Sequence, residues 1–157
     1  MSPRYATART GKMPRIAILT VGKIKENYVQ DGIDEYMKRM KNRRIVMIEV
    51  KDFGKEKEGE EISRKLGRLD GYLTVSLDEH GKELTSKEFS GFIDSNISRD
   101  ICFIIGGPDG LAKSVLEKTD HKISLSRMTF NHEMARLFLI EQLYRAFSII
   151  DGKEYHR

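Results

Sequence analysis

The sequence predicts an α/β fold, a mostly parallel sheet flanked by helices on both faces. Short apolar runs alternate along the chain with stretches whose apolar residues recur at helical spacing. One run, Ile101–Ile105, is uninterrupted, as a strand covered on both faces must be. It stops in Gly106-Gly107-Pro108-Asp109-Gly110, and open α/β sheets take their ligands at such strand carboxyl ends.

The elements follow in order. Residues before Met13 show no apolar period and read as a flexible basic extension over 1–12, leaving one domain over 13–157. Ile16, Ala17, Ile18, Leu19 and Val21 make the first strand, and Val29, Ile33, Tyr36, Met37 and Met40 the first helix. Residues 45–50 form a second strand. Ile62, Leu66 and Leu69 mark a helix, and 73–77 a third strand. Thr85 followed by Glu88 is a capping box, with Leu84 and Phe89 as its hydrophobic staple, so a helix starts there. After 101–105 come a short helix around 112–117, a strand near 122–125 and a long closing helix over 131–150.

That last helix is apolar around most of its circumference. A domain of this size hides one such face, so the rest is expected to pack on a second copy, giving a homodimer through the C-terminal helix. The lone cysteine, Cys102, sits in the apolar run as a core thiol, which excludes an internal disulfide framework and fits a reducing cytoplasm. No apolar stretch reaches membrane-spanning length, so no membrane partner is expected.

Basic residues exceed acidic ones by 28 to 24, but Arg4, Arg9, Lys12 and Arg15 precede the folded body, which is left with 24 of each sign. Affinity for phosphates must then come from local clusters. One cluster is Lys38, Arg39, Lys41, Arg43 and Arg44, followed by Lys51, Lys55 and Lys57. It reads equally as an RNA-binding patch and as a solvated helix end favoured by the helix dipole.

Standard cofactor signatures are missing: no Gly-x-Gly-x-x-Gly, no P-loop, no Gly-x-Ser-x-Gly, and no His/Cys array for a metal. What remains is a site built from three loops, beginning at Leu77, Gly106 and Leu125. Such loops suit a nucleoside-like ligand held by backbone groups and apolar contacts, although Gly-Gly-Pro alone is also ordinary turn punctuation. Asp78, Glu79 and His80 are read as loop rather than as catalytic acid and base. His132 opens the last helix after a polar loop, where ligand contacts are common. Glu141 and Arg145, four apart, are read first as a helical ion pair.

Four ordered motifs resemble one family. Ile-Ile-Gly-Gly-Pro-Asp-Gly-Leu at 104–111, Ile-Ser-Leu-Ser-Arg-Met-Thr-Phe at 123–130, Glu-Gln-Leu-Tyr-Arg-Ala-Phe at 141–147 and the terminal Tyr155-His156-Arg157 are similar to the large-subunit ribosomal RNA methyltransferase H family, of the SPOUT (α/β-knot) methyltransferases. The resemblance runs from Met13 nearly to the end of the chain. It implies a C-terminal trefoil knot, S-adenosylmethionine as cofactor, a homodimer, and methylation of N3 of a pseudouridine in 23S rRNA, with the assembled ribosome as the expected substrate.

Carried over by position, the implied cofactor site falls on Leu77, Gly106, Gly107, Leu125, Ser126, Arg127, Met128, Thr129 and Phe130. The implied catalytic group is Tyr155, His156 and Arg157, with His132 and Arg136 at the start of the last helix. Arg145 and the Lys38, Arg39, Arg43 and Arg44 cluster are the expected RNA contacts, and no metal is expected. Many members have Pro where this chain has Asn131, itself a good helix cap. Two other classes remain open: a noncatalytic RNA-binding or ribosome assembly factor of the same fold, and a nucleotide-binding α/β enzyme of another kind.

Overall fold

The computed structural model describes residues 14–155. The basic extension over 1–12, and His156 and Arg157, lie outside the described residues. Five strands, β1 (Arg15–Val21), β2 (Arg44–Val50), β3 (Leu73–Glu83), β4 (Ile101–Ile105) and β5 (His121–Ser124), form one sheet in the order β2-β1-β4-β3-β5. Every pairing is parallel. Five helices connect or follow them: α1 (Asn27–Arg39), α2 (Lys55–Gly67), α3 (Ser86–Ser95), α4 (Lys113–Lys118) and α5 (His132–Ile150).

Side-chain alternation along the strands divides the core in two. Ile16, Ile18, Val75 and Phe103 point to one face, where Val29 and Ile33 of α1, Phe89 and Ile93 of α3, and Leu139, Ile140, Leu143 and Phe147 of α5 cover them. Ala17, Leu19, Cys102 and Ile104 point to the other, under Ile62 of α2 and Val115 of α4. β4 lies between β1 and β3 with all five residues buried, which is why its sequence shows no polar alternation. Close approach of α1 to α5 depends on Gly32, where a Cβ would stand 3.0 Å from a Leu137 methyl. Among the described residues no helix is long and apolar enough to cross a membrane.

Helix starts follow the local chemistry. Thr85 Oγ1 accepts from Glu88 N at 3.1 Å and Glu88 Oε1 accepts from Thr85 N at 2.8 Å, completing the capping box. Asn131 caps α5 by accepting from Met134 N at 2.8 Å.

Two boundaries differ from the sequence reading. α2 begins at Lys55, seven residues before its first large apolar residue, because its opening turns bury Glu58 and Gly59 rather than a hydrophobe. β3 does not end at Leu77: its pairing with β5 breaks after Leu77 and resumes at Lys82. The intervening Asp78-Glu79-His80-Gly81 is a bulge in a continuing strand. Gly81 permits the return, since a Cβ there would lie 2.8 Å from the backbone of Ile123.

Thr85→Ala is expected to cost about 1 kcal/mol in chemical denaturation. Hydrogen bonding to Thr85 holds the Glu88 carboxyl below its usual range. A carboxylate with a lowered folded-state pKa stabilises the fold at neutral pH and loses that contribution as pH falls through the lowered value. Glu88→Gln removes the titrating carboxyl, so its stability difference from the native chain should shrink in acid, as denaturation midpoints measured from neutral pH downwards will show.

Candidate active site

The carboxyl ends of β3, β4 and β5 enclose a cleft of about 920 Å3. Its first wall is the β3 bulge, from Leu77 through His80. Its second is the turn after β4. Gly110 N donates to Gly107 O at 3.0 Å, closing a four-residue turn with Pro108 at its second position and Gly110 at φ 78°. Gly106 has no room for a side chain, because a Cβ would lie 2.6 Å from the carbonyl carbon of Gly110. The third wall is the segment after β5. Met128 N donates to Ser126 Oγ at 3.0 Å, and Ser124 Oγ donates to the Ser126 carbonyl at 2.8 Å, so short polar side chains shape this loop from within.

The first and third walls are tied together. Thr129 Oγ1 donates to Glu79 Oε2 at 3.2 Å, and Arg127 stands 3.9 Å from Glu83. Phe130 meets Phe138 of α5 edge-on with ring centroids 4.9 Å apart, anchoring the loop to the last helix. Met128, 75% exposed, is the most open apolar side chain on the rim.

The three loops proposed from the sequence thus meet in one place. Leu77, Gly106, Gly107, Leu125, Ser126, Met128, Thr129 and Phe130 all line the cleft, and His132 stands at its lip. Arg127 does not line it; its side chain turns outward to Glu83. Sequence reasoning put Lys55 with the basic cluster rather than the cleft and gave Glu79 and His80 no catalytic part, yet all three border the cleft. The sequence signal for the latter pair was a polar stretch too long for a simple strand end.

Arg136 is placed differently. It is 1% exposed, outside the cleft lining, and its Nη2 donates to the carbonyls of Val21 at 3.3 Å and Gly22 at 3.0 Å while Nη1 meets Glu49 at 3.3 Å. Burial lowers the pKa of this guanidinium and Glu49 opposes the shift. One turn earlier, Glu133 Oε1 accepts from the backbone N–H of Lys25 and Glu26, each at 3.1 Å, where α1 has no side-chain cap of its own. The start of α5, and His132 with it, is therefore clamped to the β1–α1 connection by two buried charges. The sequence signal for this clamp was an acid and a base three residues apart at the start of a helix that is apolar around most of its circumference.

The remaining candidates lie at the other end of the sheet. Tyr155 Oη donates to Glu141 Oε2 at 3.1 Å and is 3.1 Å from Tyr36 Oη, its ring packing edge-on to Tyr144 with centroids 4.6 Å apart. Burial first, then these two neighbours, raises its pKa, so the phenol stays protonated at neutral pH. Arg145 pairs with Glu141 at 2.6 Å and stacks over the Tyr155 ring. Arg39 pairs with Glu35, and Arg43 with Asp151 at 2.7 Å while stacking on Phe147. Lys38 is exposed beside them at the end of α1, and Arg44 opens β2. A seven-residue strand separates Arg44 from the cleft end of the sheet, roughly 20 Å. Among the described residues no His/Cys/Asp/Glu group could hold a metal.

An all-parallel α/β sheet with its cleft at the strand carboxyl ends and a Gly-Gly-Pro turn as one wall is the arrangement in which open α/β folds hold their ligands. Residues 14–156 match the family model described as "Predicted SPOUT methyltransferase". The chain is 43% identical over 157 residues to Ribosomal RNA large subunit methyltransferase H of Clostridium beijerinckii, covering 90% of this chain and 99% of that one. It is 44% identical over 143 residues to the protein of the same name from a Synechococcus species, covering 91% and 96%. The chain belongs to the ribosomal RNA large subunit methyltransferase H family of SPOUT methyltransferases. Solved structures agree on the fold: a probable methylase family protein of Haemophilus influenzae superposes with TM-score 0.60 at 14% identity, over 92% of this chain and 71% of that one. The SpoU methyltransferase AviRb of Streptomyces viridochromogenes, solved with AdoMet, gives 0.51 at 14% identity over 85% and 58%.

Arg136→Ala strips hydrogen bonds from the buried Val21 carbonyl and the half-buried Gly22 carbonyl and leaves a cavity where the guanidinium was. It is expected to cost about 3 kcal/mol in urea denaturation, well above the cost of an exposed substitution such as Lys38→Ala.

Proposed function

We propose that the protein transfers the methyl group of S-adenosylmethionine to N3 of a pseudouridine in 23S rRNA, working as a homodimer of knotted domains in the cytoplasm. The observation that carries this reading is the convergence of the three loops into one cleft with His132 at its lip. The cleft suits the cofactor: Leu77, Ile105, Leu111, Leu116 and Leu125 offer apolar surface for a nucleoside, and the glycine turn brings main-chain groups close because Gly106 and Gly107 carry no side chain. S-Adenosylmethionine, when bound, supplies an electrophilic methyl group on a sulfonium.

The chain's own task would be to orient the base at the cleft and take the imide proton from N3, leaving an electron-rich nitrogen to accept the methyl group as the sulfonium leaves as a thioether. His132, which borders the cleft, orients the base or accepts the proton in this reading. Arg136 serves by position, through the clamp on the β1–α1 connection. Tyr144, against whose ring Tyr155 packs, stands about 14 Å further along the axis of α5 than the cleft-lining Ala135. Tyr155, His156 and Arg157 therefore act in the cleft of the second subunit, with Arg145 holding the tail's tyrosine from below.

The deciding experiment is methylation of purified ribosomes and of naked 23S rRNA, with mass spectrometry of the product nucleosides. A 3-methylpseudouridine product is expected; RNA association without S-adenosylmethionine binding would identify an assembly factor instead. His156→Ala should lower turnover about 10²-fold with cofactor affinity held, and wild-type turnover would remove its catalytic role. Gly106→Ala should do the reverse first, weakening calorimetric S-adenosylmethionine binding at least tenfold as the turn opens, while the native chain and variant share a similar circular dichroism spectrum.

A further inference from the structure

The cations expected to meet RNA are largely committed elsewhere: Arg39 and Arg43 pair with carboxylates at the end of the sheet remote from the cleft. At the cleft end, the β2–α2 corner offers another surface. Phe53 is 55% exposed, with Lys51 Nζ 5.4 Å from its ring centroid. Lys55 borders the cleft itself, and neither it nor the exposed Lys57 has an ion-pair partner among the described residues.

The corner is held in shape from below. Gly54, at φ 95°, turns the chain, and its N–H donates to Glu58 Oε2 at 2.8 Å. Glu58 is 4% exposed and packs against the cleft's second wall, since a Cβ on Gly107 would come within 3.3 Å of its Oε1. An exposed aromatic ring on a fixed turn, with an ammonium at its face and unpaired lysines beside it, is an arrangement that stacks an unpaired base while meeting its phosphates. Two exposed acids share the corner, Asp52, which hydrogen-bonds the buried Glu58, and Glu56 in the first turn of α2, so the lysines leave a small positive excess there.

We infer that the Lys51-Phe53-Lys55 corner is a ledge on which a single-stranded nucleotide flanking the target stacks, guiding the substrate RNA into the adjoining cleft. This rests on the reading of the protein as an rRNA methyltransferase and adds where its substrate docks. Phe53 lies outside the cleft lining, so its replacement should leave S-adenosylmethionine affinity unchanged.

The test measures binding to unmethylated large ribosomal subunits alongside methylation, using the full chain. Phe53→Ala is expected to raise both the Kd and the KM for subunits about tenfold, with kcat within twofold. Phe53→Trp should retain native binding, and Phe53→Leu should behave as the alanine variant, because an aliphatic side chain has no π-face. Lys51→Ala should reduce the salt slope of binding by about one. Native binding by Phe53→Ala, or by Phe53→Leu, overturns the ledge; the second result would instead mark a protein contact. Should the native chain bind subunits through Phe53 yet methylate nothing, the ledge stands and the proposed activity fails.

Discussion

Because every strand of the sheet runs the same way, the molecule has two unlike ends, and each functional argument depends on that polarity. All five strand carboxyl ends open on one side, so the β3 bulge, the glycine turn and the segment after β5 converge there without any special long-range contact. α5 starts at the cleft with His132 and finishes at the far side with Ile150. In the order β4-β3-β5 the bulge lies between the glycine turn and the segment after β5, so the three walls come from strands that are neighbours in the sheet.

The polarity also explains the use of buried charge. The first turns of α5 must meet the end of β1, where strand pairing has run out and carbonyls need donors. Arg136 supplies them to Val21 and Gly22, and Glu133 accepts the N–H groups that begin α1. A guanidinium buried this deeply is costly unless its hydrogen bonds are made, so the pair specifies one placement of the helix rather than merely adding stability. His132 inherits that placement, which gives the cleft a fixed lip.

Most of this was legible in the sequence. Strand β4 announced its burial by having no polar residue, and the α3 capping box could be read from Thr85, Glu88 and the flanking Leu84 and Phe89. The three walls were named from turn chemistry alone. What the sequence hid was placement in space. Asp78 to Gly81 read as a loop because a bulge in a continuing strand depends on a cross-strand approach at Ile123, which no local pattern encodes. Arg39, Arg43 and Lys38 read as one patch with Lys51 and Lys55, since they are close in sequence, yet β2 carries the chain from one end of the sheet to the other between them. Arg136 shared its helix face with His132 by spacing, but burial directed it to the β1 carbonyls instead of the cleft.

The separation of the two ends bears most directly on the tail. Tyr155 is fixed by Tyr36, Glu141 and Tyr144, and its ring is stacked upon by Arg145, well along α5 from the cleft. Two residues extend the chain by only about 7 Å, against the length of α5 that lies between Tyr144 and His132. The half-buried Met134, Leu137, Phe138, Glu141, Tyr144 and Arg145 form a stripe along α5 that its own subunit covers incompletely. In the proposed homodimer that stripe is the contact. An antiparallel or steeply crossed pairing of two such helices would bring the tail end of one beside the cleft end of the other. The same pairing that completes the apolar burial of α5 would then complete the active site, so the monomer would lack not only stability but chemistry.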